Sequence, residues 1–120
     1  MAGIETSLKD AMSIDGALGA ALGDYTSGMA LGTAGPTETL SVAAAAGTDV
    51  LRAEMRALEL VGQGNQKLED ILISLTGQYH LIRPLTRHPG LFLYLMLDRN
   101  RSNLAMARHH ARRIEADLEV

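Results

Sequence analysis

At 120 residues, 47% apolar and without cysteine, the chain suits one domain and excludes disulfide scaffolds, thiolate metal sites and a cysteine nucleophile. Phe92 and three tyrosines are the only aromatic residues, so Leu, Ile, Val, Ala and Met must fill the interior. The net charge of −3 is uneven: residues 1–70 hold ten acids against four bases, whereas 98–113 hold Arg99, Arg101, Arg108, Arg112 and Arg113 against Asp98 alone.

Ile4, Leu8, Ala11 and Met12 recur at helical spacing, which predicts an amphipathic helix over 2–13, ended at Ile14-Asp15-Gly16. Residues 17–23 and 29–34 are small and apolar around Asp24-Tyr25-Thr26-Ser27-Gly28, a tight-turn composition, and predict a hairpin. Their glycines, each about 1 kcal/mol worse than alanine in a helix, weigh against helix there. Gly35-Pro36-Thr37 breaks the chain before a long helix over 38–61, which Gly62-Gln63-Gly64-Asn65 closes. Strands follow at 68–75, with Ile71, Ile73 and Leu75 on one face, and at 79–85, where Pro84 belongs near the end because it cannot donate to a ladder. The unbroken apolar run 91–97 predicts a central strand covered on both faces. Leu104, Ala107, Ala111, Ile114 and Leu118 predict a final amphipathic helix, capped by Ser102 or Asn100. The order α-β-β-α-β-β-β-α, with no repeat or long linker, makes 1–120 one domain of the α/β (α+β) class. The expected architecture is a five-stranded, mostly antiparallel sheet sandwiched by helices.

The helix over 38–61 is apolar around too much of its circumference. With Ala43 as zero and about 100° per residue, Ala46, Gly47, Val50, Ala53, Ala57, Leu60 and Val61 cluster near zero. Ala44, Leu51, Met55 and Leu58 form a second stripe roughly 100° away, leaving Thr48, Asp49, Arg52, Arg56 and Glu59 as the polar face. One sheet covers a stripe of about 100°, so the surplus implies a second packing partner and points to association. Glu54 falls about 20° from the middle of the apolar arc. An unpartnered buried carboxylate is costly, so Glu54 belongs either at a solvent edge or in a seam between two copies of the helix.

No reaction chemistry stands out. The glycine-rich segments match neither Gly-x-Gly-x-x-Gly nor a Gly-Lys-Ser/Thr ending, so no nucleotide cofactor is expected. His109-His110 point about 100° apart on a helix and lack a clear carboxylate partner, and His80 and His88 are isolated, so no metal is expected. Glu69-Asp70 sit where successive side chains diverge, and no serine lies in Gly-x-Ser-x-Gly. An enzyme is not indicated. Overall acidity argues against nucleic acid. The C-terminal arginines suit a solvated helix face, or attraction to phosphate, anionic lipid or an acidic partner. No apolar run spans a bilayer, and Glu5, Lys9 and Asp10 do not form a signal-peptide layout, so a cytoplasmic protein is expected, with membrane contact only peripheral and through partners.

Several segments in order resemble the roadblock, or dynein light chain, superfamily: 13–17 (SIDGA), 27–32 (SGMALG), 77–85 (GQYHLIRPL) and 91–98 running into the helix start at 99–107. The likeness is to short bacterial members encoded beside Ras-like small GTPases, the gliding-regulator and actinobacterial operon types. It implies a homodimer built on the central helix and the strand 68–75, with Ala44, Leu51, Glu54, Met55, Leu58, Ile71 and Ile73 in the interface. It also implies a non-catalytic adaptor, without cofactor, that binds a Ras-like small GTPase through Asp49, Arg52, Arg56 and Glu59. A structural assembly subunit without a GTPase is the alternative. A third reading, a small-ligand or metal sensor using His80, requires a polar-lined pocket there.

Overall fold

A computed structural model of the chain describes residues 2–36 and 38–120. Thr37, in the predicted break before the long helix, lies outside the described residues. The elements are α1 (Ile4–Ala11), β1 (Ala17–Asp24), β2 (Met29–Ala34), α2 (Leu40–Leu60), β3 (Ile71–Ser74), β4 (Gln78–Pro84), β5 (Leu91–Asp98) and α3 (Leu104–Asp117), with a 3-10 turn at Arg99–Arg101. The order is the expected one. Strand β3 is shorter than its predicted 68–75, and Glu69-Asp70 precede it.

The strands form one antiparallel sheet in the order β2-β1-β5-β4-β3. The apolar run of β5 is central because its two sides face different cores. Leu93, Leu95 and Leu97 pack with Leu8, Ala11, Ala107, Ala111 and Ile114 of α1 and α3. Phe92 and Tyr94 point the other way and pack with Ala44 and Leu51 of α2. Pro84 ends β4, where its missing N–H leaves no gap in the ladder.

The α2 layer sits close to the sheet at Gly47. A Cβ there would lie 2.9 Å from the Tyr94 ring, so glycine is kept mid-helix despite its poor propensity. Thr48, expected on the polar face, is 2% exposed and its Oγ1 donates to the Ala44 carbonyl oxygen at 3.2 Å. That local bond satisfies the hydroxyl, so a threonine can face the sheet.

The cap of α3 is Asn103, not Ser102 or Asn100. Its Oδ1 accepts from the Met106 N–H at 3.1 Å, while Ser102 Oγ donates to the Asp98 carbonyl oxygen at 2.7 Å. Near its other end, α3 is fastened to the sheet by Glu115, which is 4% exposed. Glu115 accepts from Arg83 Nε at 3.0 Å, Thr86 Oγ1 at 3.2 Å and the Arg87 N–H at 3.2 Å, and Arg83 Nη2 lies 2.8 Å away. Burial alone raises the Glu115 pKa, but the Arg87 N–H, the Arg83 bonds and charge, and Thr86 outweigh it and hold the carboxyl below its ordinary value.

Candidate docking interface

Helix α2 covers only part of its sheet face. Leu40, Ala44, Gly47, Thr48 and Leu51 are buried against the strands. Outward, Val42 is 69% exposed, Val50 36% and Leu60 75%, with Ala46, Ala53 and Ala57 exposed between them. These positions recur every three or four residues, so they make one continuous apolar stripe with small residues along its middle. Val61, the C-cap, extends it.

Polar residues flank the stripe on the side toward the hairpin. Arg52 Nε donates to the Tyr25 carbonyl oxygen at 2.8 Å and Nη2 to that of Thr26 at 2.9 Å, which ties α2 to the β1–β2 turn. The turn is itself stapled by Asp24, whose Oδ1 accepts from the Thr26 N–H at 2.8 Å and from Thr26 Oγ1 at 2.6 Å. Those Thr26 bonds lower the Asp24 pKa. Asp49, Arg56 and Glu59 are exposed.

On its other side the stripe borders strands β4 and β3, which α2 contacts much less than it contacts β1 and β2. Strand β3 is a sheet edge, its outer backbone groups unpaired by any other strand among the described residues. Ile71 and Ile73 are half-buried beneath the α2 layer. Beside them runs a short polar row: His80 Nε2 to Gln78 Oε1 at 2.8 Å, and Tyr94 OH to His80 Nδ1 at 2.8 Å. An amide oxygen only accepts, so His80 carries its proton on Nε2 and accepts from Tyr94 on Nδ1. Burial lowers the His80 pKa and raises that of Tyr94, which keeps both neutral.

Solved structures share this fold. A Roadblock/LC7 domain from Streptomyces avermitilis superposes with a TM-score of 0.79 at 12% identity, over 96% of this chain and 93% of that one. The chain has the roadblock fold. The gliding protein MglB from Thermus thermophilus gives 0.75 at 18% identity, over 91% of this chain and 80% of that one. An MglB with a tetrameric arrangement gives 0.76 at 18% identity, over 91% and 79%. No family model and no curated protein sequence matches the chain.

Placed on the roadblock frame, the two stripes of the long helix exchange the roles expected from the sequence. Ala44 and Leu51, predicted at an interface, are 1% and 0% exposed in the chain's own core. Most of the stripe centred on Ala43 is the free one, although Gly47 within it faces the sheet. Met55 and Leu58 are half-buried between the two. Glu54 is exposed and lies outside the core. Arg52, predicted to be available to a partner, spends two N–H groups on the hairpin instead. The wheel already held the free stripe. It could not say which of two apolar arcs meets the sheet, and Gly47, which the wheel counts with the free arc, would have pointed to the wrong one.

Three of the four histidines are engaged, and His109 is exposed with no hydrogen bond among the described residues. His110 Nε2 lies 3.1 Å from Asp10 Oδ1, a carboxylate partner that the sequence did not reveal because α1 and α3 meet only in the fold. His88 Nε2 donates to the Leu118 carbonyl oxygen at 3.0 Å. Among the described residues, no group of three or more His, Cys, Asp or Glu could hold a metal.

Proposed function

We propose that this chain is a non-catalytic homodimeric adaptor, acting in the cytoplasm as one domain, that binds a Ras-like small GTPase and modulates its nucleotide cycle or location. The observation that carries the reading is the apolar stripe Val42–Ala46–Val50–Ala53–Ala57–Leu60 beside a free edge strand. A second copy laid antiparallel on it buries both stripes, brings the two β3 edges together and leaves Glu54 at the rim of the seam. Small residues along the stripe suit close helix approach. The exposed Asp49, Arg56 and Glu59 then lie on the outer helical layer, open to a partner. The likeness to MglB, including an MglB with a tetrameric arrangement, supports both association and a regulator's role.

Sedimentation at micromolar concentration tests the dimer, and a strictly monomeric protein refutes it. A pull-down with the small GTPase encoded nearest the gene, loaded with GDP or a GTP analogue, tests the adaptor role. Nucleotide-sensitive capture, weakened by substitutions at Asp49, Arg56 and Glu59, is expected. Dimerisation with no capture in either state favours the alternative, a structural subunit of a larger complex without a GTPase.

A further inference from the structure

A cavity of about 380 Å³ opens on the opposite side of the sheet from α2, between the segment leading into β3 and helix α3, and every side chain lining it is charged: Lys67, Glu69, Asp70, Arg83, Arg108 and Arg112. Four bases face two acids. Two of the three arginines, Arg83 and Arg108, are held in place by carboxylates that consume only part of their donors. Arg108 gives Nε and Nη2 to Asp70 at 3.0 and 3.1 Å, which leaves Nη1 without a bond among the described residues. Arg83 directs Nε and Nη2 to Glu115, and its Nη1 has only a 3.5 Å contact with the Glu69 carbonyl oxygen. Lys67 and Arg112 make no hydrogen bond or ion pair among the described residues. The Glu69 carboxylate, also in the lining, likewise pairs with none among the described residues.

We infer that this cavity binds a phosphoryl dianion through Lys67 and Arg112, with Arg108 Nη1 and Arg83 Nη1 as pre-oriented donors. The donors come from a loop, a strand and a helix, so they approach from several directions, as a tetrahedral anion requires. Because Asp70 and Glu115 already fix two of the guanidinium groups, binding orders few further side chains. Among the described residues no aromatic or aliphatic side chain lines the cavity, so charge and hydrogen bonding are what it offers, and these match the phosphoryl group itself. Glu69 opposes the ligand and sets the affinity. The site is independent of the seam on α2.

Calorimetric titration of the intact chain with inorganic phosphate, and separately with phosphoserine as a monoester, tests the assignment. One saturable site per chain is expected, tighter at pH 7.5 than at pH 5.5, because the second proton of the monoester leaves near pH 6 and that of inorganic phosphate about one unit higher, both between the two test values. Lys67→Met with Arg112→Met should weaken binding at least about tenfold, whereas Glu69→Gln should tighten it about threefold. Arg113→Ala, a charge outside the cavity, should change it by less than about twofold. Binding of phosphoserine but not phosphate assigns the site to an esterified group, and the reverse assigns it to the free ion. Absence of saturation below about 10 mM with either ligand overturns the proposal. So does an equal loss in the Arg113 variant, which marks unspecific surface attraction only.

Discussion

Two neighbouring residues on α2 should behave in opposite ways. Leu51 is 0% exposed against Phe92 and Ile82, whereas Val50, 36% exposed, lies on the outward stripe. Truncating a fully buried leucine removes its transfer free energy and leaves a cavity, which costs about 2–5 kcal/mol. A chain of this length unfolds with an entropy of about 0.25 kcal/mol/K, so a loss of about 3 kcal/mol in Leu51→Ala lowers Tm by about 12 °C. Val50→Asp should change the stability of the isolated chain by less than about 1 kcal/mol, because Val and Asp have similar helix propensities and the site is open. In the seam it buries one uncompensated carboxylate per copy, at about 1–3 kcal/mol or more each, and so weakens the dimer at least about thirtyfold. Thermal unfolding by circular dichroism and concentration-dependent sedimentation separate the two effects. The reasoning fails if Val50→Asp leaves the dimer constant unchanged. It also fails if Leu51→Ala dissociates the dimer while Tm holds, the outcome that the family resemblance implied.

Three other perturbations test the packing on the two faces of the sheet. Gly47→Ala should lower Tm although alanine is the better helix former, because its Cβ would press on the Tyr94 ring at 2.9 Å; a higher Tm would show that α2 stands off the sheet. Glu115→Ala strands the Arg83 charge and should cost about 3–5 kcal/mol, measured by urea unfolding, and the Arg83→Met/Glu115→Leu pair should recover most of it. Since the Glu115 carboxyl lies below its ordinary value when folded, its contribution is full above the unfolded carboxylate range and fades as the pH falls through the folded value. A wild-type acid transition identical to that of Glu115→Gln would contradict this. His80 should show the Nε2–H tautomer by nitrogen NMR, and its depressed pKa means stability is lost as the pH drops below about 6.5. Tyr94→Phe, which removes the donor to Nδ1, should disturb that tautomer signal, and an unchanged spectrum would refute the hydrogen bond.

The element order was legible because each signal is local: period-two or helical spacing in the strands and helices, glycine-rich turns, and an unbroken apolar run for β5. Its weakest points were ends. Asn103 displaced Ser102 as the α3 cap because Ser102 is drawn to Asp98, and β3 spans only Ile71–Ser74, beginning just after the Asp70 that pairs with Arg108. The candidate site was half legible. A surplus apolar arc on α2 could be counted from residues 38–61, and so could the need for a partner to cover it.

Periodicity and composition alone thus determined that this is a sandwich of helices on an antiparallel sheet, with a central helix too apolar for one neighbour. Only the tertiary structure decided which arc is spent on the core. A helical wheel carries angles but no direction to the sheet, and that direction is set by where Tyr94 leaves room for Gly47 and where Arg52 reaches the hairpin. The charged cavity depended on the fold for the same reason. Lys67, Arg83 and Arg112 are far apart in sequence, and no local pattern records that a strand and a helix bring them to one opening.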